Sequence, residues 1–330
     1  MRAAFSARSA CLAAEKKLLL AYASSMRYVL GFDGGGTKTE CVLMDEARHV
    51  AAISRGGPSN PMRVGFDSAF AAVCEAARIA TLSAGVPREN VVSLCAGLAG
   101  AAHPESAQKM KALLEKEFPE TKVRVCTDLD LTLAATGEGP AIVLIAGTGS
   151  AAVGRDADGR SCRVGGHGYL LGDTGSAYHV GQQAVAGALR HFERTGADMP
   201  LGQRILEKAG APSWVELQAR INAAPDEVLP RLFPVVLQAA ESDDATARAL
   251  LEDCAQALAE QVRDLAERLQ LQSQKFLLAK TGGMLGRSTY FDERLDFHLR
   301  KAAVLAQLGE LQLSPAEAAA RLALRLLSRA

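Results

Sequence analysis

Two kinds of hydrophobic pattern alternate along the first half of the chain, and they predict different elements. Short apolar runs bounded by turn residues are typical of buried strands, whereas apolar positions three and four residues apart are typical of helices. The first half thus reads as three strands, a helix, a strand, a helix and a strand, at residues 28–30, 41–44, 50–54, 67–84, 91–96, 104–118 and 122–126. A hairpin sheet that continues into strand–helix–strand crossovers predicts a mixed sheet covered by helices.

The second half restarts the pattern with a strongly apolar strand, Ala141–Ala146, and a second strand, Ala151–Arg155. A hairpin turn follows at Asp156–Gly159, and the glycine-rich stretch Arg163–Leu171 is predicted as a loop. The remaining pattern predicts a helix, helices with proline breaks, a long amphipathic helix, a strand and a last helix, at residues 177–195, 200–240, 244–269, 276–279 and 315–327.

The composition is that of an ordinary globular protein. The chain has 330 residues, of which 48% are hydrophobic and 22% charged, and this length normally folds as two domains. Lys and Arg together number 37, as do Asp and Glu, so nothing indicates a nucleic acid or an anionic membrane as partner. The seven cysteines are scattered without a CxxC pair, which predicts a reduced, cytoplasmic protein rather than a disulfide framework or a zinc site.

Residues 1–25 form a basic stretch rich in alanine and serine. The apolar segment Leu18–Ala23 is too short for the core of a signal peptide, and Glu15, Lys16 and Lys17 interrupt the stretch. No apolar run in the chain approaches the length of a membrane span. We therefore expect a disordered or loosely helical extension before a fold that begins near Met26, with a transit peptide as the alternative.

The candidate chemistry begins at the glycine-rich turn between the first two predicted strands. Its backbone N–H groups can approach an anion closely, and hydroxyl groups add donors, in the run Gly34, Gly35, Gly36, Thr37, Lys38 and Thr39. The carboxylate of Asp33 beside this turn makes sense if a divalent cation lies between it and a phosphate. An ordinary hairpin is the alternative. A Walker A loop does not fit, because Thr37 occupies the position of its lysine and Glu40–Met44 reads as a strand.

Further glycine turns follow two other predicted strands, and an aspartate follows a third. They are the turn Gly147, Thr148, Gly149 and Ser150, the pair Gly282 and Gly283, and Asp128. The second turn also matches a loose dinucleotide-binding fingerprint, but that motif opens a helix and a hairpin is predicted here. Two phosphate-facing hairpins, a late glycine turn and a poised carboxylate together indicate one nucleotide-dependent site.

This combination resembles the BadF/BadG/BcrA/BcrD ATPase family, which lies within the actin/hexokinase/heat-shock-chaperone ATPase superfamily and includes N-acetylglucosamine kinase. The resemblance covers about residues 26–330. It implies an α/β fold class, namely a two-domain actin-like ATPase (ribonuclease H-like) fold with mixed sheets flanked by helices and an interdomain cleft for ATP and substrate. The expected domains are residues 26–139 with the C-terminal helix 315–330, and residues 140–314.

The resemblance also implies a role for each motif. The turns at residues 34–39 and 147–150 are expected to hold the phosphates of ATP, and Gly282 and Gly283 its adenosine. Asp33 would position Mg²⁺ through water, and Asp128 matches the family's catalytic base. Residues expected to bind the sugar substrate are Asn60, Asp128, His167, Gly168 and Asp173.

For several of these residues the local pattern alone favours a simpler interpretation. A single aspartate after a strand, such as Asp128, is more often a capping or turn carboxylate. Asn60 stands before a proline and Asp173 between glycines and a threonine, so both suit turns. His167 departs from the family, because an aromatic Trp is frequent there in sugar kinases, and this departure leaves the identity of the sugar open.

The implied activity is transfer of the γ-phosphoryl group of ATP to a hydroxyl of an amino sugar. N-acetylglucosamine, giving N-acetylglucosamine 6-phosphate, comes first and glucosamine second. An activator ATPase of a 2-hydroxyacyl-CoA dehydratase or benzoyl-CoA reductase would need a cysteine near the cleft, and none lies near Gly147 in the sequence. A sugar-responsive repressor would need a helix-turn-helix segment, and residues 1–25 are too short to supply one. The expected partner is a small sugar, with no nucleic acid and no membrane, and the chain is compatible with a homodimer.

Overall fold

The structure is a computed structural model that describes residues 26–328, so the prediction for residues 1–25 lies outside the described part. The chain divides by its internal contacts into two compact units. Among the described residues, unit 1 extends to Gly137 and resumes at Gln312, and unit 2 is Glu138–Leu311. Each unit is built around one five-stranded sheet.

The sheet of unit 1 has three antiparallel strands followed by two strands added in parallel. Its order is β3-β2-β1-β4-β5, with β1 (Tyr28–Gly34), β2 (Thr39–Asp45), β3 (Val50–Gly56), β4 (Val91–Leu98) and β5 (Lys122–Cys126). The helices of this unit are α1 (Pro61–Val64), α2 (Phe66–Ala84), α3 (Pro104–Glu117), α4 (Asp128–Ala134) and the C-terminal helix (Pro315–Leu327). The expectation of a mixed sheet covered by helices is confirmed.

The sheet of unit 1 is buried on both faces, because helices pack on each side of it. Successive side chains of β1 point to opposite sides and so enter different cores. Leu30 and Phe32 join the core formed with α2 and α3, whereas Val29 joins a second core formed with the C-terminal helix. All three side chains are fully buried. The C-terminal helix therefore belongs to unit 1 and lies on the strand that leads into the first glycine turn.

Gly31 in β1 marks a very close approach between the strand and the C-terminal helix. A Cβ atom at this position would lie 2.1 Å from the backbone nitrogen of Ala320 and 2.3 Å from the carbonyl oxygen of Ala316. We expect Gly31→Ala to lower the thermal midpoint by about 5–10 °C, because separating the two backbones costs about 2–3 kcal/mol. Scanning calorimetry tests this with Gly187→Ala as the control, since a Cβ atom at Gly187 meets nothing within 4 Å. Equal midpoints for the two variants would contradict the inferred clash.

The sheet of unit 2 repeats the topology of the first. Its order is β10-β9-β6-β7-β8, with β6 (Ala141–Ala146), β7 (Ser150–Arg155), β8 (Ser161–Gly165), β9 (Phe276–Thr281) and β10 (Ala306–Gly309). The strands β6, β7 and β8 form an antiparallel meander, and β9 and β10 are added in parallel beside β6. In both units the first strand is therefore central and ends at a glycine-rich turn.

The helices of unit 2 cover this sheet and supply most of its core. They are α5 (Ala177–Thr195), α6 (Pro200–Ala209), α7 (Trp214–Ala223), α8 (Pro225–Val228), α9 (Phe233–Glu241), α10 (Ala245–Arg268) and α11 (Thr289–Ala302). Asp244 caps α10, because its side chain accepts a hydrogen bond from the N–H of Ala247. Within the described part of the chain, no helix has both the length and the apolar character to cross a membrane.

Some elements differ from the sequence-based expectation. The loop predicted at 163–171 is wrong in its first part, because residues up to Gly165 belong to β8 and pair with β7. The short helices α1 and α4 were not predicted, since they are shorter than the window in which a helical period becomes visible. α11 was also missed, because it buries only the narrow stripe Phe291, Leu295 and Leu299.

Candidate active site

The first glycine turn is the tip of the hairpin formed by β1 and β2, which we call the phosphate-1 hairpin (residues 33–39). The strands pair up to Gly34 and Thr39, and the N–H of Gly35 donates to the carbonyl of Lys38 at 2.9 Å. The side chains of Thr37 and Lys38 are exposed at this tip. The tip therefore presents backbone N–H groups, one hydroxyl and one ammonium group to a ligand.

Thr39, which was expected to bind phosphate, lies beneath the hairpin and is fully buried. Its hydroxyl group lies 2.7 Å from the carbonyl oxygen of Gly57 and 2.7 Å from the hydroxyl of Ser59. The backbone N–H groups of Ser59 and Asn60 both donate to the carbonyl of Gly35, at 3.0 and 3.1 Å. These bonds fasten residues 57–60 to the hairpin, so the Thr39 side chain supports the site from inside.

Asn60 is the N-cap of α1, and its side-chain oxygen accepts a hydrogen bond from the N–H of Met62 at 3.0 Å. The same oxygen lies against Gly100, where a Cβ atom would approach it to 2.6 Å. Within residues 26–328, the amide nitrogen of Asn60 has no hydrogen-bond partner. Its oxygen is thus held by the helix start, while two donors remain for a ligand.

Asp33 is the predicted metal residue, and it lies half-buried near the end of β1. Burial, and then the carboxylates of Asp128 and Glu40, raise the pKa of Asp33 to about 6, whereas Lys38 opposes the shift. A buried carboxyl group with two acidic neighbours favours a cation. No group of three or more metal-ligating side chains occurs in the described part of the chain, so the residues fit a cation held largely by phosphate and water.

Asp128 is the first residue of α4, and its carboxylate accepts a hydrogen bond from the N–H of Leu129 at 3.1 Å. Burial raises the pKa of Asp128. The neighbouring Asp130 has a different role, because Thr127 and Asp130 form a reciprocal capping box. The two acidic groups of this turn are thereby distinguished. Asp130 closes the helix start, and Asp128 keeps an oxygen without a protein partner among the described residues.

The second glycine turn, the phosphate-2 hairpin (residues 147–150), joins β6 to β7. It is closed by a hydrogen bond from the N–H of Gly147 to the carbonyl of Gly149 at 2.9 Å, and the N–H of Ala177 donates to the carbonyl of Gly147. Ser150 is buried, and its hydroxyl donates to the carbonyl of Thr174 at 2.8 Å and accepts from Gln261 at 3.1 Å. The Ser150 hydroxyl and the N–H of Gly147 are therefore used within the protein, and among the described residues the N–H groups of Thr148 and Gly149 remain for a ligand.

Asp173 lies against the phosphate-2 hairpin in a left-handed backbone conformation, with φ of 56°. A Cβ atom at Gly149 would lie 2.6 Å from its carboxylate oxygen. Burial raises the pKa of Asp173, and the N–H groups of Ser150 and Gly168 and the ring of His167 oppose the shift. Three of the predicted sugar-binding residues of unit 2 therefore come together. A strained non-glycine residue in such a place is typical of functional sites.

A cavity of about 480 Å³ in unit 2 adjoins the phosphate-2 hairpin. Gly147 and Thr148 line one part of it and Gly283 another, while Phe233 and Met284 contribute apolar surface. Gly282 does not line the cavity; its φ of +120° and the 2.1 Å from its Cβ position to the carbonyl oxygen of Ala146 show that only glycine fits there. The predicted phosphate and adenosine turns of this unit thus share one cavity.

Sequence reasoning missed three basic residues at this cavity, Lys208, Arg231 and Arg287. All three side chains are exposed. Among the described residues, Arg231 has a carboxylate near it, Glu227 at 3.9 Å, and the other two have no ion-pair partner. They come from separate helices and a loop, so no local motif could indicate them. Their charge suits an anionic ligand beside an apolar wall, which is the character of a nucleotide.

The comparisons with known proteins bear on this arrangement. The model of the BadF/BadG/BcrA/BcrD ATPase family matches residues 30–302. The chain belongs to this family. An N-acetylmuramic acid/N-acetylglucosamine kinase of Clostridium acetobutylicum is 30% identical over 272 residues, which are 81% of this chain and 89% of that protein. An N-acetyl-D-glucosamine kinase of Dictyostelium discoideum is 28% identical over 317 residues, which are 91% and 98% of the two chains.

Solved structures agree with the fold. A candidate N-acetylglucosamine kinase from Chromobacterium violaceum superposes with a TM-score of 0.73 at 28% identity, covering 90% of this chain and 99% of that one. The expected family and the α/β fold class with two mixed sheets are thereby confirmed.

Proposed function

We propose that this protein is an ATP-dependent kinase that phosphorylates an amino sugar, with N-acetylglucosamine as the first candidate. The observation that carries the proposal is the placement of Asp128. Its half-buried carboxylate is fixed at a helix start, keeps an oxygen free among the described residues, and interacts electrostatically with Asp33 of the phosphate-1 hairpin. A hydroxyl acceptor needs such a base, and both kinase relatives match most of the chain.

Each unit offers donors for a nucleotide. In unit 1 these are the backbone N–H groups at the tip of the phosphate-1 hairpin, with Thr37 and Lys38, and in unit 2 the backbone N–H groups of Thr148 and Gly149. The cavity beside Gly283 has the size and the apolar wall for a purine, and its three basic side chains favour the phosphates. Thr39, Ser150 and Gly282 would support these turns through their internal contacts.

A Mg²⁺ ion, when bound with ATP, would neutralise phosphate charge. Asp33 would hold it through water, because a cation would offset the electrostatic repulsion of Asp33 by Asp128 and Glu40. The residues proposed for the sugar are Asn60 and Asp128 in unit 1, and His167, Gly168 and Asp173 in unit 2. Asn60 offers free amide donors, and Asp173 offers a carboxylate oriented by its strained backbone.

The chemistry follows from the charge of the transferred group. The γ-phosphoryl passes through a loose, highly charged transition state, so positioning and charge neutralisation supply most of the catalysis. Asp128 would accept the proton of the attacking hydroxyl as its oxygen bonds to phosphorus. A pKa raised by burial makes this carboxylate a better proton acceptor than an exposed aspartate.

The compartment is part of the proposal. The cysteines within residues 26–328 are free thiols, and Cys41, Cys95, Cys126 and Cys254 are buried. Unpaired thiols suit a reducing compartment such as the cytoplasm.

The direct test is a coupled ADP-release assay over N-acetylglucosamine, N-acetylmuramic acid, glucosamine, N-acetylmannosamine, glucose and no sugar. N-acetylmuramic acid is included because one relative is named for that substrate. We expect ADP release that depends on an amino sugar, with product mass increased by one phosphate. ATP hydrolysis that no sugar stimulates would contradict the kinase proposal and favour an activator-type ATPase.

A further inference from the structure

Arg63 lies in a one-turn helix whose position is fixed relative to the phosphate-1 hairpin. The hydrogen bonds from Ser59 and Asn60 to Gly35 hold the start of α1 on the hairpin, and the N–H of Arg63 donates to the carbonyl of Asn60 at 3.0 Å. Arg63 is also the basic residue of the last turn of this helix. Its backbone therefore cannot drift from the hairpin without breaking these bonds.

The side chain of Arg63 extends over the tip of the hairpin. A Cβ atom at Gly36 would lie 3.1 Å from its guanidinium Nη1, 3.4 Å from Cδ and 4.0 Å from Cζ. The guanidinium group thus covers the position where any other residue at 36 would carry its side chain. Glycine at this position serves two purposes, since it frees the backbone for a ligand and leaves room for the arginine.

Arg63 is not used in an ion pair within the described part of the chain. Arg27, Arg55 and Arg78 of the same unit have carboxylate partners, at 2.5, 3.5 and 2.6 Å, whereas Arg63 has neither a carboxylate partner nor a side-chain hydrogen bond among residues 26–328. The backbone of Arg63 is held by hydrogen bonds while its guanidinium group has no partner among these residues, so the guanidinium group is available for a ligand. The position it covers is Gly36, where an anion could bind.

We propose that Arg63 contacts the γ-phosphate of ATP and stabilises the charge of the transferring phosphoryl group. This proposal rests on the kinase function proposed above. The planar guanidinium offers five donors in a fixed fork that matches phosphoryl oxygens. Lys38, the other cation of the tip, is a point charge on a flexible stem. Arg63 therefore supplies a donor that is both charged and directional, which the hairpin itself lacks.

Arg63 neither gains nor loses a proton in this step. The sugar oxygen forms a bond to the γ-phosphorus while the bond from that phosphorus to the β–γ bridging oxygen breaks. The hydroxyl proton passes to Asp128, and the electron pair leaves with ADP. Arg63 donates hydrogen bonds to the equatorial oxygens, over which the charge of the transition state is spread, so its effect should appear mainly in kcat.

The test compares Arg63→Gln and Arg63→Lys with Arg78→Gln, a surface control on α2. We expect Arg63→Gln to lower kcat by about 10²–10³-fold, with KM for the sugar changed less than about threefold. Arg63→Lys should retain an intermediate kcat, because it keeps charge but loses the fork. Added guanidinium ion should partly restore kcat in Arg63→Ala. Arg78→Gln should retain wild-type kinetics.

A binding measurement separates this role from a structural one. Arg63→Gln should weaken binding of a non-hydrolysable ATP analogue by at least about tenfold while ADP binding and the thermal midpoint stay unchanged, because only the γ-phosphate contact is lost. An unchanged kcat, or an equal loss of both nucleotides with a lower midpoint, would overturn the proposal. If the wild type shows no sugar-dependent turnover, the kinase proposal fails, but the comparison of the two nucleotides still decides whether Arg63 meets the γ-phosphate.

Discussion

Asp33→Ala should reduce sugar-dependent turnover by at least about 10³-fold while leaving the protein folded. The side chain lies half-buried beside the tip of the phosphate-1 hairpin, and among residues 26–328 it makes no hydrogen bond that the fold requires. Without it, Mg²⁺ would lose the carboxylate proposed to orient it, and the charge of the transferring phosphates would be less well neutralised. The measurement is kcat over a Mg²⁺ titration, and near-normal turnover at saturating Mg²⁺ would remove Asp33 from the mechanism.

The stability of an Asp33 variant should change in the opposite direction to its activity. Because burial and neighbouring carboxylates raise the pKa of Asp33 to about 6 from 3.8, its charged form destabilises the folded state. The contribution of the protonated Asp33 carboxyl group to the free energy of unfolding is fully present below about pH 3.8 and is lost as the pH rises through about 6. In metal-free protein, the thermal midpoint of Asp33→Asn should exceed that of the wild type by a margin that grows between about pH 4 and 6.5 and then levels off. A margin independent of pH would contradict the electrostatic account.

The parts of the site that the sequence made visible are those encoded locally. A glycine turn after an apolar strand is visible within a dozen residues, so both phosphate hairpins and the carboxylate after β5 could be predicted. The roles of the Thr39 and Ser150 side chains could not be predicted in this way. Their hydroxyl groups find partners 18 and 24 residues away, at Gly57 and Thr174, and a motif carries no information on contacts at that distance.

The basic residues of the site are invisible in the sequence for a related reason. Arg63, Lys208 and Arg287 are exposed cations in ordinary surroundings, and only folding brings one to Gly36 and the other two to the cavity beside Gly283. The fold was more predictable, because the periodicity of buried positions extends over whole elements. The prediction of elements from the sequence failed where an element was short, as in α4, or had a narrow apolar stripe, as in α11.

Asp128→Asn should lower kcat by about 10²–10⁴-fold, the usual contribution of a general base. Asparagine keeps the shape and a hydrogen-bond acceptor but cannot take the proton of the sugar hydroxyl. Sugar affinity should weaken only modestly, and ATP affinity should barely change, because the contacts proposed for the nucleotide do not include Asp128. The measurement is steady-state kinetics of sugar-dependent ADP release, with nucleotide affinity determined separately.

Asp130→Asn is the matched control, since it makes the same chemical change two residues away. Asp130 accepts hydrogen bonds from the backbone N–H and the hydroxyl of Thr127, at 3.0 and 2.8 Å, so its replacement should weaken the cap of α4. The expected loss is about 0.5–2 kcal/mol of stability with kcat changed less than about threefold. Full activity in Asp128→Asn, or equal losses of kcat in the two variants, would contradict the assignment of Asp128 as the general base. The contrast between a catalytic and a structural aspartate within one helical turn is therefore the sharpest test of the kinase mechanism.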